Sequence, residues 1–168
     1  MAINRQIIIN QLYAGQAVVV DGPILPGNWA YYADLAKVEY SPEFSQQELT
    51  KLGYTIADDG FTLTSSDGAT IQLELLCPDT ELHQMIAERI KDDWSGLGLQ
   101  VELIIKPYNA VIADLDARNY QAALIDIDLS ESPDPDPYPF WAQSQIQSGQ
   151  NYSQWDNRTA SEYLEQAR

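Results

Sequence analysis

The sequence predicts an α/β layer with parallel strands joined by right-handed crossovers. Three observations carry this expectation. From residue 70 onward the segments alternate strand, helix, strand, helix, strand. Leu82, Met85, Ile86, Ile90 and Trp94 form a helical stripe between two β-rich stretches. The 168 residues, 45% of them apolar, are enough for one hydrophobic core.

The elements follow in order. Ile3, Ile7, Ile8 and Leu12 recur at helical spacing, and Gly15 offers a stop. The opening reads as helix interior without a cap, and Thr159 to Arg168 reads as a helix that stops without one. Together they point to a segment cut from a longer protein. Residues 17–40 hold Asp21-Gly22-Pro23 and Pro26-Gly27-Asn28, which predict an ordered loop carrying Trp29, Tyr31 and Tyr32. Ser41 caps the next helix, with Pro42 at its first position and Gly53 past its end. Phe61 to Thr64 and Thr70 to Leu76 read as strands joined by a hairpin turn at Ser65-Ser66-Asp67-Gly68. Thr80 caps the long helix, which Gly96 and Gly98 end. Leu99 to Ile105 is the next strand, Tyr108 to Ala117 a short helix, and Ala122 to Leu129 a third strand. Tyr138 to Gln147 and Thr159 to Arg168 read as helices.

Charge excludes several classes. Nine Lys plus Arg against 25 Asp plus Glu give −16, the wrong sign for nucleic acid or an anionic membrane surface. The longest apolar runs, Ile7 to Ile9 and Ala17 to Val20, are too short to span a bilayer. No charged n-region and apolar h-region opens the chain. The single cysteine, Cys77, rules out an internal disulfide framework. His83 is the only histidine, which argues against a catalytic triad or a paired-His metal site. Gly96-Leu97-Gly98 follows a helix, not a strand, and is too short for a dinucleotide fingerprint. No metal, cofactor or catalytic constellation is therefore expected.

Ligands in parallel α/β sheets sit beyond the carboxyl ends of the strands. That singles out Cys77, Lys106-Pro107 and the run Asp126 to Asp136. A calcium loop fails there, because Glu131 stands where Gly is needed and Pro137 where a bidentate Glu is needed. The run is read either as a solvated acidic loop or as fixed carboxylates for an ammonium or guanidinium. Trp29, Tyr31, Tyr32, Tyr138, Phe140, Trp141 and Trp155 flank the irregular regions, as lids on the core or as walls of an apolar pocket.

Taken together, these motifs resemble the peptide/nickel type (family 5) of extracellular solute-binding proteins, the receptors of ABC importers. The residues that carry it are Ala2-Ile3-Asn4-Arg5-Gln6-Ile7-Ile8 with Gly15, Gly22-Pro23-Ile24-Leu25-Pro26, and Leu49-Thr50-Lys51-Leu52-Gly53-Tyr54. Ile90 to Val101 follows, with Trp94 and Gly98 at the family positions. The Pro133-Asp134-Pro135 run and Asn151-Tyr152-Ser153 complete the order. The resemblance implies a periplasmic-binding-protein-like (type II) lobe, a mixed sheet flanked by helices. It makes residues 1–168 one domain, part of the C-terminal lobe of a larger two-lobed receptor. It also implies a periplasmic or extracellular place, with the parent held to the membrane as a lipoprotein. The partners implied are a small solute, the N-terminal lobe of the same parent chain and an ABC permease. A sensor or interaction domain derived from the same lobe, or an α/β hydrolase, are the alternatives.

This sequence departs from the family pattern at the ligand positions. A Gly-Trp pair found in peptide-binding members falls on Ile127 and Asp128, and the amine-binding Asp falls on Glu131. No Arg stands between Cys77 and Thr80. These departures point away from a free dipeptide and toward a cationic, sugar-like or longer peptide ligand. The expected contacts are Asp128, Leu129, Ser130 and Glu131 on the loop, Cys77 at a strand end, and Trp29, Tyr31 and Trp155 as apolar surface.

Overall fold

The structure is a computed structural model that describes residues 1–129 and 134–168. The chain forms two compact units. The first comprises Met1–Val19, Lys37–Val111 and Tyr120–Ile125; the second comprises Val20–Ala36, Ile112–Asn119 and Asp126–Arg168.

In the first unit the strands β3 (Gln72–Pro78), β4 (Gln100–Lys106) and β5 (Ala122–Ala123) form a sheet of order β4-β3-β5, parallel throughout. Helix α3 (Glu81–Ser95) connects β3 to β4 as a crossover. Alternation along β3 holds through Glu74, with Gln72 and Glu74 exposed, and then Leu75–Pro78 are all buried. The strand thus begins half-covered and ends in the core. That core is Leu75, Cys77, Ala87 and Ile90, packed by Ile3, Ile8, Ile86, Trp94, Val101, Leu103, Ala122 and Leu124. Each such aliphatic side chain contributes about 1.5–3 kcal/mol when fully buried. Met85, read as part of the helical stripe, is exposed instead.

Helix α1 spans Arg5–Leu12, and the Asn4 side chain caps it, accepting from the Ile7 N–H at 3.1 Å. The opening is therefore capped, contrary to the expectation from sequence: Asn4 lies inside the apolar stripe that begins at Ile3, which masks it as a cap. Helix α2 (Pro42–Lys51) forms as expected, with Ser41 Oγ accepting from the Phe44 N–H at 3.2 Å. The hairpin expectation needs correction. The turn exists, with Gly68 N–H donating to Ser65 O at 2.9 Å, but a single antiparallel bridge, Thr64 to Thr70, closes it. Strand β2 (Leu63–Thr64) pairs instead with β1 (Thr55–Ile56), too short a strand to show a period in sequence.

The third strand is also shorter than Ala122 to Leu129. After β5 one more bond forms, Leu124 N–H to Leu76 O at 2.9 Å, and the ladder stops. In a parallel pair alternate residues face the same neighbour. The next residue of β3 on that side is Pro78, which has no N–H to offer.

Helix α4 (Tyr108–Asp116) runs from the first unit into the second. In the second unit, the helix expected over 138–147 splits into α5 (Tyr138–Trp141) and a 3₁₀ turn at Gln143–Gln145. Ala142 between them is extended and fully buried, and the Gln143 N–H goes to Ser161 Oγ at 2.9 Å. Helix α6 (Arg158–Gln166) closes the chain, capped by Asn157.

Candidate functional site

The expected contacts do not all lie in one unit. Cys77 belongs to the first; Trp29, Tyr31, Asp128, Leu129 and Trp155 belong to the second. Ser130 and Glu131 lie outside the described residues.

Cys77 offers no side chain to a ligand. It is fully buried in the core of the first unit, with its S–H directed at Pro78 O, 3.2 Å away. Burial pushes its thiol above the ordinary value. The strand runs two residues past the expected end at Leu76, so Cys77 lies within it and its thiol is buried with the rest of Leu75–Pro78.

In the second unit Trp29 is 81% exposed, beside Tyr31 in a loop pinned by Asn28, whose Oδ1 accepts the Ala30 N–H at 3.0 Å. Asp128 is exposed and Leu129 half-buried. Of the acidic run, Asp136 is used within the fold: Arg168 Nε donates to Oδ2 at 3.0 Å, and the Tyr138 N–H to Oδ1 at 3.0 Å. The Arg168 guanidinium also lies over the Tyr138 ring.

Trp155, 42% exposed, meets Trp141 edge to face with ring centroids 6.1 Å apart. Its surroundings are polar and fully organised. Asn151, with no exposed surface, donates from Nδ2 to Ala142 O at 3.2 Å and to Trp155 O at 2.9 Å. Its Oδ1 accepts from the Trp155 N–H at 3.2 Å and from Ser153 Oγ at 2.9 Å. Arg118 braces the preceding turn, donating to the carbonyls of Ile146 at 2.7 Å, Gly149 at 2.8 Å and Leu115 at 2.6 Å. Sequence reading noted Asn151 only as part of a motif and passed over Arg118. Their role depends on carbonyls brought close by irregular backbone, which leaves no periodic signal.

Sequence reading also missed a shallow groove of about 580 Å³ in the first unit, between the end of α1 and one flank of α3. Gln11, Leu12, Asp79, Glu81, Glu88 and Asp92 are among its lining. Its only sequence signal is the polar side of α3. Among the described residues no group of three or more His, Cys, Asp or Glu is placed to hold a metal ion, and no helix is long and apolar enough to cross a membrane.

A parallel sheet with an α crossover, beside irregular loops rich in aromatics, is the α/β architecture of the periplasmic type II class. Residues 1–150 match the bacterial extracellular solute-binding proteins, family 5 Middle, and the chain belongs to that family. The oligopeptide-binding protein AppA of Bacillus subtilis is 25% identical over 170 residues, which cover 99% of this chain and 31% of AppA. The chain thus spans less than a third of that relative. The solved structure of AppA with a nonapeptide superposes with a TM-score of 0.87 at 24% identity, over 98% of this chain and 33% of that one. Campylobacter jejuni NikZ in complex with Ni(L-His) gives 0.85 at 19% identity, over 98% of this chain and 33% of that one. An oligopeptide-binding protein of Thermotoga maritima bound to mannohexaose gives 0.83 at 21%, over 97% of this chain and 33% of that one. These likenesses establish the fold.

Proposed function

We propose that the chain is part of the C-terminal lobe of a two-lobed solute receptor, and that it forms one wall of the ligand cleft without doing chemistry. The family match over residues 1–150 carries this reading. The parent protein closes on its solute by hinge motion and presents the closed form to an ABC permease. It works in the periplasm or outside the cell, held to the membrane as a lipoprotein.

Receptors of this fold hold a nonapeptide, a nickel–histidine complex and an oligosaccharide. The fold alone therefore does not choose the solute; the chemistry of the wall does. Here the wall is acidic, with Asp126 and Asp128 exposed after β5 and Glu131 following in sequence. A peptide or related solute with a positive group suits it, because a charge-assisted hydrogen bond to a fixed carboxylate outweighs a neutral one. Trp29, Tyr31 and Trp155 supply apolar surface.

Titration calorimetry of the full-length protein against trilysine, trialanine, a nickel–histidine complex and mannohexaose tests this. Trilysine is expected to bind most tightly and to be recovered unchanged. Asp128→Asn is expected to weaken it about tenfold, the scale of one lost charge-assisted bond. Turnover of any ligand, or no binding across the panel, overturns the reading.

A further inference from the structure

We propose that Asn151 is a positioning residue that holds the Trp155 indole in place for the ligand. This rests on the reading of Trp155 as part of the ligand wall.

A carboxamide has two N–H donors and one oxygen with two lone pairs. Asn151 uses all four: both donors go to carbonyls, of Ala142 and Trp155, and the oxygen accepts from Trp155 N–H and Ser153 Oγ. It therefore grips the backbone of one residue, Trp155, at both its N–H and its C=O. Burying a carboxamide costs free energy unless every polar atom is satisfied. Simple packing would be served as well by an apolar residue of that size, so complete satisfaction serves geometry instead.

What the grip secures is a partly exposed indole in a stretch without regular structure. Residues 150–157 have no helix or strand, and Gln154 takes a φ of 54°. No helix or sheet ladder fixes Trp155; Asn151 does, with a 3.3 Å bond from the Trp155 N–H to Ser153 Oγ beside it. Asn151 is anchored in turn by its own N–H, 3.3 Å from Gln145 O, in the turn that Arg118 braces. Trp141 closes one side of the indole edge-on. A large aromatic surface, fixed before the ligand arrives, binds without paying an ordering cost at that moment.

The test is a double-mutant cycle in the full-length protein, with trilysine as the probe and 5-fluorotryptophan reporting each indole by fluorine NMR. Asn151→Ala and Trp155→Ala are each expected to weaken trilysine about tenfold, the scale of one lost aromatic contact. The double variant is expected to be no weaker than either single one, because the two changes remove the same interaction. The Trp155 resonance should shift in Asn151→Ala while that of Trp94 stays, a readout that a general loss of structure would not give. Asn151→Asp, which keeps shape and acceptors but loses both donors, should do the same if the alanine variant does not fold. Unchanged affinity and resonance in the Asn151 variants, or effects that add to those of Trp155→Ala, overturn the proposal. Unchanged affinity in Trp155→Ala overturns the ligand role of the indole and the proposal with it. No trilysine binding by the unaltered protein overturns the reading of a cationic solute, and an unshifted Trp155 resonance in Asn151→Ala then overturns the grip on the indole by itself.

Discussion

Asp93 reaches across 89 residues of sequence to accept the backbone N–H of Asn4 at 2.7 Å, just where α1 begins. Its other carboxylate oxygen accepts from Arg89 Nη2 at 3.2 Å, one turn back on α3. The Asp93 side chain is almost completely buried, so water competes little for its carboxylate. Asn4 is then used twice, as cap of α1 and as the donor that ties α1 to α3.

Removing that carboxylate takes the acceptor away from a part-buried N–H and a partly buried guanidinium. Asp93→Ala is expected to destabilise the protein by about 2–4 kcal/mol. Asp93→Asn keeps an acceptor for Asn4 and should cost less. Urea unfolding midpoints of the two variants check the order.

Two glycines at the end of α3 should behave oppositely. Gly98 has a φ of 88°, and a Cβ there would lie 2.5 Å from Phe61 O and 2.7 Å from Leu63 N. The closeness is functional in the fold, since Gly98 O accepts the Leu63 N–H that docks β2. Gly98→Ala is expected to cost about 2–4 kcal/mol through strain and clash together. Gly96 has ordinary helical backbone, and an added Cβ meets nothing closer than 3.4 Å. Gly96→Ala should stay within about 1 kcal/mol of the parent, and thermal melts of the two variants side by side check the difference.

The Cys77 thiol should be inert in the native protein. Its burial raises the thiol's ionisation above the ordinary value, so thiolate is scarce at neutral pH and out of reach. A thiol reagent is expected to label the protein only in denaturant. Rapid labelling under native conditions would place the side chain elsewhere.

The hairpin turn carries a pH signature. Asp67 accepts from the Ser65 hydroxyl and from the Ala69 N–H, and these bonds hold its carboxyl below the ordinary 3.8. A depressed folded-state value stabilises the turn above the unfolded-state pKa. That contribution is lost as pH falls through the lower, folded-state one. Carboxyl NMR titration should give Asp67 a midpoint below 3.8, moving toward it in Ser65→Ala.

Most elements were legible because their signals are local. Ser41-Pro42 and Thr80 mark helix starts, and the stripe of Ile86, Ile90 and Trp94 marks a helix face; each acts within a turn or two of chain. The errors arise where a distant partner decides. Pro78 ends the third strand from across the sheet, Ser161 takes the Gln143 N–H and breaks a helix, and two-residue β1 exists only through β2. The candidate site divides the same way. Trp155 and Asp128 could be nominated from loop position and residue type. The inward turn of Cys77, the internal use of Asp136 by Arg168, and the grip of Asn151 depend on packing and on carbonyl directions.

The most direct test of the receptor reading is a crystal structure of the full-length protein grown with its tightest-binding solute. The account predicts an unaltered solute lying against this chain, with its positive group near Asp128 and apolar surface on Trp155. A solute that touches no residue of this chain, or one that has been cleaved, would contradict it.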